Sequence, residues 1–273
     1  MRVHHLNCGS LRPFGGRLIS GTGSPFGTAP LVCHCLLMET DQGLVLVDTG
    51  FGLPDVAAPA ANLGRHFLLF ARPRLDAEEA AVRQVARLGY DPRDVRHIVL
   101  THLDPDHAGG LRDFPWAKVH VHATELAAAT RPASRAERLR YRPGQWTHGP
   151  DWATYPVADG ERWFGFEAVR QLDGLSAEIL LLPLPGHTRG HTGVAVQTGD
   201  RWLLHAGDAY FFHAETDPVR PRVPAGLAMF QTITQVSGER RRHNRARLRE
   251  LRATHTDKVA IFSAHDPGEL ARF

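Results

Sequence analysis

The chain has 273 residues, 42% of them hydrophobic and 22% charged, with a formal net charge of +3. It is long enough for one large domain or two small ones, with a core that needs no disulfide support. Three cysteines exclude a closed disulfide framework, no run approaches a membrane span, and the opening MRVHHLNCGS lacks the apolar stretch of a secretory signal. These features lead to the expectation of a cytoplasmic globule forming a single domain over residues 1–273.

Apolar runs at Leu31 to Met38 and Leu44 to Val47, joined through Asp41 and Gly43, predict a β-hairpin. Within the first run Cys33 and Cys35 flank His34. Alternation puts both thiols on one face and the imidazole on the other, so the three do not converge on one metal and are expected as buried strand residues. The second run ends in Asp48-Thr49-Gly50, a carboxylate at the end of a strand, where α/β proteins place working residues. An apolar, proline-bearing insertion at about 51–75 follows, suited to a lid over a pocket or a homodimer contact. Asp76 to Leu88 predicts a helix, capped by Asp76 with Glu79 three residues on and closed by Gly89.

The next strand, His97 to Leu100, runs into THLDPDHAGG at Thr101 to Gly110. His102, Asp104, Asp106 and His107 are hard to justify there as packing, because carboxylates and imidazoles buried against one another need a cation. On an extended backbone His102 and Asp104 point the same way. Asp106 and His107 share a centre only where the chain turns, and Pro105 with Gly109-Gly110 supplies the turn.

Lys118 to His122 reads as a strand and Glu125 to Ala129 as a helical turn. A second insertion, at about 130–151, shows no period. Trp163 to Arg170 and Glu178 to Leu184 read as strands, the latter entering PGHTRGH at Pro185 to His191. Val194 to Gln197 and Arg201 to His205 form a hairpin that ends in AGDAY, Ala206 to Tyr210. A basic helix from Glu239 to Leu251 and a strand from Lys258 to Phe262, ending in SAHDP, complete the order. Leu248 and Leu251 recur at helical spacing among the arginines, which favours a solvated helix face over a nucleic-acid surface. His102 lies 54 positions after Asp48, and His265 lies 57 after Asp208. That repeat suggests an α/β fold of two similar halves whose working residues meet at one edge.

His187, His191, Asp208 and His265 also sit at strand ends. With the four residues of the 101–110 stretch they make a ligand inventory for two ions, since a closed zinc site needs only four. The ordered set VDTG (Val47 to Gly50), THLDPDH, PGHTRGH, AGDAY and SAHDP resembles the metallo-β-lactamase superfamily over nearly the whole chain. Its members include glyoxalase II, acyl-homoserine lactonases and RNA-processing nucleases. The resemblance implies a four-layer αββα sandwich. It implies that His102, Asp104 and His187 bind one metal, that Asp106, His107 and His265 bind a second, and that Asp208 bridges them. Asp48 would orient a ligand histidine, and His191 would support its loop.

One position departs from the family motif His-x-His-x-Asp-His: Asp104 stands where the second histidine belongs. Two divalent ions, three aspartates and a bridging hydroxide sum to zero, where the usual site keeps a positive charge. The two expected ions are therefore zinc in the first place, with manganese or iron admitted by the extra oxygen ligand. The expected activity is hydrolysis of a lactone, ester or thioester, nearest in layout to the lactonase branch. Asp106 or Asp208 would accept a proton, Tyr210 would donate to the oxyanion or leaving group, and an apolar stretch such as Phe67 to Phe70 would receive an acyl chain. The alternative is a di-iron oxygenase or oxygen-reducing protein of the same fold, for which Asp104 is the evidence. The expected partner is a small acyl substrate, with no membrane, nucleic acid disfavoured, and a homodimer compatible with the apolar insertion.

Overall fold

The computed structural model describes residues 1–156, 161–176 and 178–273. The first sheet contains β1 (Arg2–Leu11), β2 (Leu31–Thr40), β3 (Gly43–Val47), β4 (Val95–Val99), β5 (Lys118–His122) and β6 (Asp151–Tyr155), side by side in chain order. The second contains β7 (Glu161–Trp163), β8 (Phe166–Gln171), β9 (Ile179–Pro183), β10 (Thr192–Thr198), β11 (Arg201–His205) and β12 (Val259–Phe262).

The two halves share a topology. β1, β2 and β3 form an antiparallel meander, and β4 then pairs parallel to β3. β9, β10 and β11 repeat the meander, and β12 pairs parallel to β11. Each parallel pair needs a crossover, which the helices Ala81–Arg87 and Gly238–Thr254 provide.

Period-two alternation sorts the apolar side chains into layers. Leu36, Met38, Val45, Val47 and Val99 of the first sheet pack with Ile179, Leu181, Val194, Val196 and Phe262 of the second, which makes the inner core. On the opposite face of β2 and β3, Cys35, Leu37, Leu44 and Leu46 pack with Ala81, Val85, Ala128 and Ala129 of the flanking helices. Leu180, Leu182, Ala195 and Leu204 do the same against Leu248 and Leu251. The result is helix, sheet, sheet, helix. Each buried Val, Leu, Ile, Met or Phe among them contributes about 1.5–3 kcal/mol.

Several expected elements differ in detail. The helix expected over Asp76 to Leu88 is a single 3-10 turn, Ala77–Glu79, followed by Ala81–Arg87 after an extended Ala80. Glu79 does not close a capping box, because its carboxylate accepts from Ser10 Oγ of β1 at 2.8 Å. The run from Trp163 is broken at Phe164 and Gly165, both with positive φ, into the hairpin β7–β8. The 51–75 insertion folds into short helices, the last being Arg65–Ala71, and the 130–151 insertion holds the helix Arg135–Arg140, capped by Ser134. Arginines of the basic helix turn inward: Arg245 pairs with Glu215 at 2.5 Å, and Arg252 donates to Thr216 Oγ1 at 2.6 Å and His213 O at 3.2 Å. No helix among the described residues is long and apolar enough to cross a membrane.

Candidate metal centre

The polar residues at the strand ends converge on one edge of the sandwich. Asp48 follows β3 in a left-handed conformation, φ 56°. Its Oδ1 accepts from the Thr101 amide at 2.8 Å, and its Oδ2 accepts from Thr101 Oγ1 at 2.7 Å and His107 Nδ1 at 2.8 Å. The turn expected around Pro105 is the short helix Pro105–Ala108, which carries Asp106 and His107. Its exit must be glycine, since a Cβ on Gly110 would lie 2.9 Å from Thr49 Cβ.

Hydrogen bonds from Nδ1 aim His102, His107 and His265. Thr101 Oγ1, already donating to Asp48, accepts from His102 Nδ1 at 3.0 Å, and Val32 O accepts from His265 Nδ1 at 2.7 Å. In His102, His107 and His265 the Nε2 atom is thereby turned inward, the nitrogen that would give a lone pair to a metal once its proton is displaced. His191 is held differently. Its Nδ1 donates to Leu184 O at 2.9 Å and its Nε2 accepts from the Asp208 amide at 2.8 Å, so it braces the Asp208 turn and faces no open centre.

Asp208 stands in the middle, one oxygen to each side. Its Oδ2 lies 3.3 Å from His187 Nε2 and 3.7 Å from His102 Nε2, while its Oδ1 lies 3.3 Å from His107 Nε2 and 3.2 Å from His265 Nε2. Asp104 Oδ2 joins the first group, 3.0 Å from His187 Nε2 and 3.5 Å from His102 Nε2, and Asp106 Oδ2 joins the second, 3.6 Å from His265 Nε2. Four ligands about 2.0–2.1 Å from a tetrahedral ion stand roughly 3.3–3.4 Å apart, which matches these spacings. The donor set fits cations in a second way, since His102 Nε2 and Asp208 Oδ1 are buried without a hydrogen-bond partner among the described residues.

The charges support one another. Burial alone would raise the Asp208 carboxyl, yet His265, His107, His187 and His102 hold it well below the carboxylate range. Burial would lower His107, but Asp208 and Asp48 push it well above its ordinary value. His187 falls to about 4 through burial and then through Arg140.

Three residues gain a place here that the sequence did not assign. Arg140 ends the helix of the 130–151 insertion, and its Nη1 lies 3.2 Å from Asp104 Oδ2 and 3.3 Å from His187 O. Glu125, fully buried, accepts from the Leu103 amide (3.0 Å), Tyr141 Oη (3.1 Å), Thr188 Oγ1 (2.7 Å) and the Gly190 amide (3.1 Å), tying the 101–110 and 185–191 loops together. Cys33, expected as a plain strand residue, has its thiol within 4.8 Å of ligand atoms of Asp106 and His265. His34 lies elsewhere, against His5 at 2.7 Å.

Tyr210 requires a correction. It is fully buried in the outer core beneath the basic helix, and its hydroxyl donates to Glu269 at 3.0 Å. Two residues past Asp208 the chain has already turned toward that layer, so Tyr210 is absent from the wall above the cluster. Phe211 is there instead, its ring stacked on His265 at 4.9 Å.

Above the cluster opens a cavity of about 840 Å³. Asp104, Asp106, His187, Asp208 and His265 line its base; Phe67 and Phe70 from the first insertion, Leu139 from the second, and Phe230 and Ile233 from the helix Ala225–Thr234 line its walls.

Residues 28–253 match the family model of the metallo-β-lactamase superfamily. A probable metallo-hydrolase of Mycobacterium tuberculosis is 46% identical over 275 aligned residues, covering all of this chain and 83% of that protein. An N-acyl homoserine lactonase of Bacillus cereus is 29% identical over 188 residues, 68% of this chain and 66% of that one. Among solved structures, Bacillus thuringiensis AiiA with N-decanoyl-L-homoserine at its active site superposes with a TM-score of 0.70 at 22% identity, covering 99% of this chain and 95% of that one. An N-acyl homoserine lactone hydrolase with N-hexanoyl-L-homoserine bound at its catalytic metal centre gives 0.69 at 21% identity, with 99% and 95% covered. The two-sheet architecture, the ordered motifs and these matches agree: the chain belongs to the metallo-β-lactamase superfamily and is a metallo-hydrolase of that fold.

Proposed function

We propose that this protein is a dinuclear metal-dependent hydrolase that opens a lactone, or cleaves an ester or thioester, carrying an apolar acyl chain. The observation that carries the proposal is Asp208, whose two oxygens face two separate groups of ligand atoms at the base of an apolar-walled cavity. His102, Asp104 and His187 would hold one divalent ion, Asp106, His107 and His265 the other, and Asp208 would serve both. Bound there, such ions supply Lewis-acid polarisation of a carbonyl and a water acidic enough to react near neutral pH.

The protein's own groups do the rest. The cavity walls take up the acyl chain, exclude water and leave the carbonyl end over the ligand cluster. Asp106 and Asp208 both line the cavity base, and either carboxylate would be placed to receive the proton released from water. Relatives named N-acyl homoserine lactonases support the lactone as the first substrate class to try.

Metal analysis of protein purified without added metal, together with turnover of acyl homoserine lactones of increasing chain length, tests the proposal. Two equivalents of zinc or manganese and a kcat/KM that rises with chain length are expected. Stoichiometric iron with a visible absorption band and no turnover of any lactone, ester or thioester would overturn it in favour of oxygen chemistry.

A further inference from the structure

We infer that Asp104 and Arg140 act as one electrically neutral unit standing where the superfamily motif has a single histidine, and that Arg140 is thereby a positioning residue for the metal centre. The inference rests on the reading of the cluster as a metal centre and asks how one half of it tolerates a third carboxylate.

A neutral imidazole at position 104 would add no charge. Asp104 adds one negative charge, and the Arg140 guanidinium at 3.2 Å adds one positive charge. The pair sums to zero, as the imidazole would. Both side chains are only 13% exposed, so solvent screens the pair little.

Arg140 is held by more than the carboxylate. It also donates to His187 O at 3.3 Å and to Thr234 O, the last carbonyl of the helix Ala225–Thr234, where partial negative charge collects. One guanidinium thus fixes the Asp104 carboxylate, the main chain of a second candidate ligand and a wall of the cavity. Its planar fork of donors allows this, where an ammonium would act as a point charge.

A buried ion pair responds unequally to its two ways of being broken. Removing one partner strands the other charge, while replacing both by neutral groups is often tolerated. Asp104→His alone would leave the Arg140 cation facing a divalent ion across a neutral ring. Asp104→His with Arg140→Met would recreate a neutral half-site.

The experiment is zinc titration of the metal-depleted full-length protein against a chromophoric chelator. Wild type should take up two equivalents. Asp104→His should lose about 10- to 100-fold in affinity for one of them, the range seen when the support of a ligand is disturbed. Adding Arg140→Met to that variant should restore the affinity, and Arg140→Lys in the wild-type background should retain both equivalents. Thermal melts of the metal-free proteins report the fold separately. If Asp104→His does not fold, Asp104→Asn compared with Asp104→Asn/Arg140→Gln makes the same comparison with smaller changes. Equal affinities for the single and double variants would overturn the inference alone. Wild-type protein that binds no zinc would overturn the metal-centre reading and the inference with it.

Discussion

Asp48 Oδ2 accepts a hydrogen bond from His107 Nδ1 at 2.8 Å, so the carboxylate at the end of β3 fixes which nitrogen of His107 faces Asp208. In Asp48→Asn the Thr101 amide still needs the carbonyl oxygen, which turns the amide NH2 toward His107. The ring would then carry its proton on Nε2, where a metal needs a lone pair. Zinc affinity at that half-site is expected to drop about 10- to 100-fold with little change in the metal-free melt. A titration curve that overlays wild type would rule out the orienting role.

Tyr210→Phe separates the sequence expectation from the structure. With its hydroxyl on Glu269, Tyr210 contributes a buried hydrogen bond and does not line the cavity. Stability should fall by about 1 kcal/mol in urea unfolding, while kcat/KM on any substrate that the wild type turns over stays at the wild-type value. A large loss of kcat with unchanged stability would return Tyr210 to the reaction.

The partner of Tyr210 gives a pH signature. Burial raises the Glu269 carboxyl from its ordinary 4.5 to about 7. The folded state holds this proton more tightly than the unfolded one, so the contribution of Glu269 to stability is full below pH 4.5 and is lost as pH rises through 7, by on the order of 3 kcal/mol in all. Glu269→Gln cannot ionise, and its amide can still accept from Ser263 N and meet the tyrosine hydroxyl. The variant should therefore gain on wild type as pH rises from 5 to 8. Denaturant midpoints at the two pH values measure it, and a difference independent of pH would exclude Glu269 as the titrating group.

Glu125→Ala should be among the most damaging changes outside the ligand set. It would leave the Leu103 and Gly190 amides and the Tyr141 and Thr188 hydroxyls without their acceptor, at about 1–3 kcal/mol for each that water does not reach. Both loops that carry candidate ligands would loosen, so metal content and unfolding midpoint should fall together. Metal content unchanged at a lowered midpoint would separate the two.

What could be read from the sequence followed from short-range rules. Apolar runs ending in Asp48, His102, His187, Asp208 and His265 located the strand ends, and the recurrence of their spacing anticipated the paired meanders of the two sheets. Arg140 was invisible for the opposite reason. It lies in a segment without period, 36 positions after Asp104, and only the fold brings guanidinium and carboxylate together. Alternation correctly kept Cys33, His34 and Cys35 from sharing a centre, but it is silent on partners far along the chain, which is how Cys33 comes to lie near Asp106 and His265. The direction of Tyr210 depends on the tight turn at Gly207, φ 53°, which decides the face that each following residue takes.

The second insertion bears on two properties at once. Leu139 lines the cavity above the ligand cluster and Arg140, the next residue, sets the charge beside Asp104. A lineage that remodelled this helix to admit a different substrate would disturb the electrical balance of the floor in the same step. Changes of substrate range in this branch should therefore arrive with compensating changes at position 104, and a laboratory selection for a new acyl group should recover the two together.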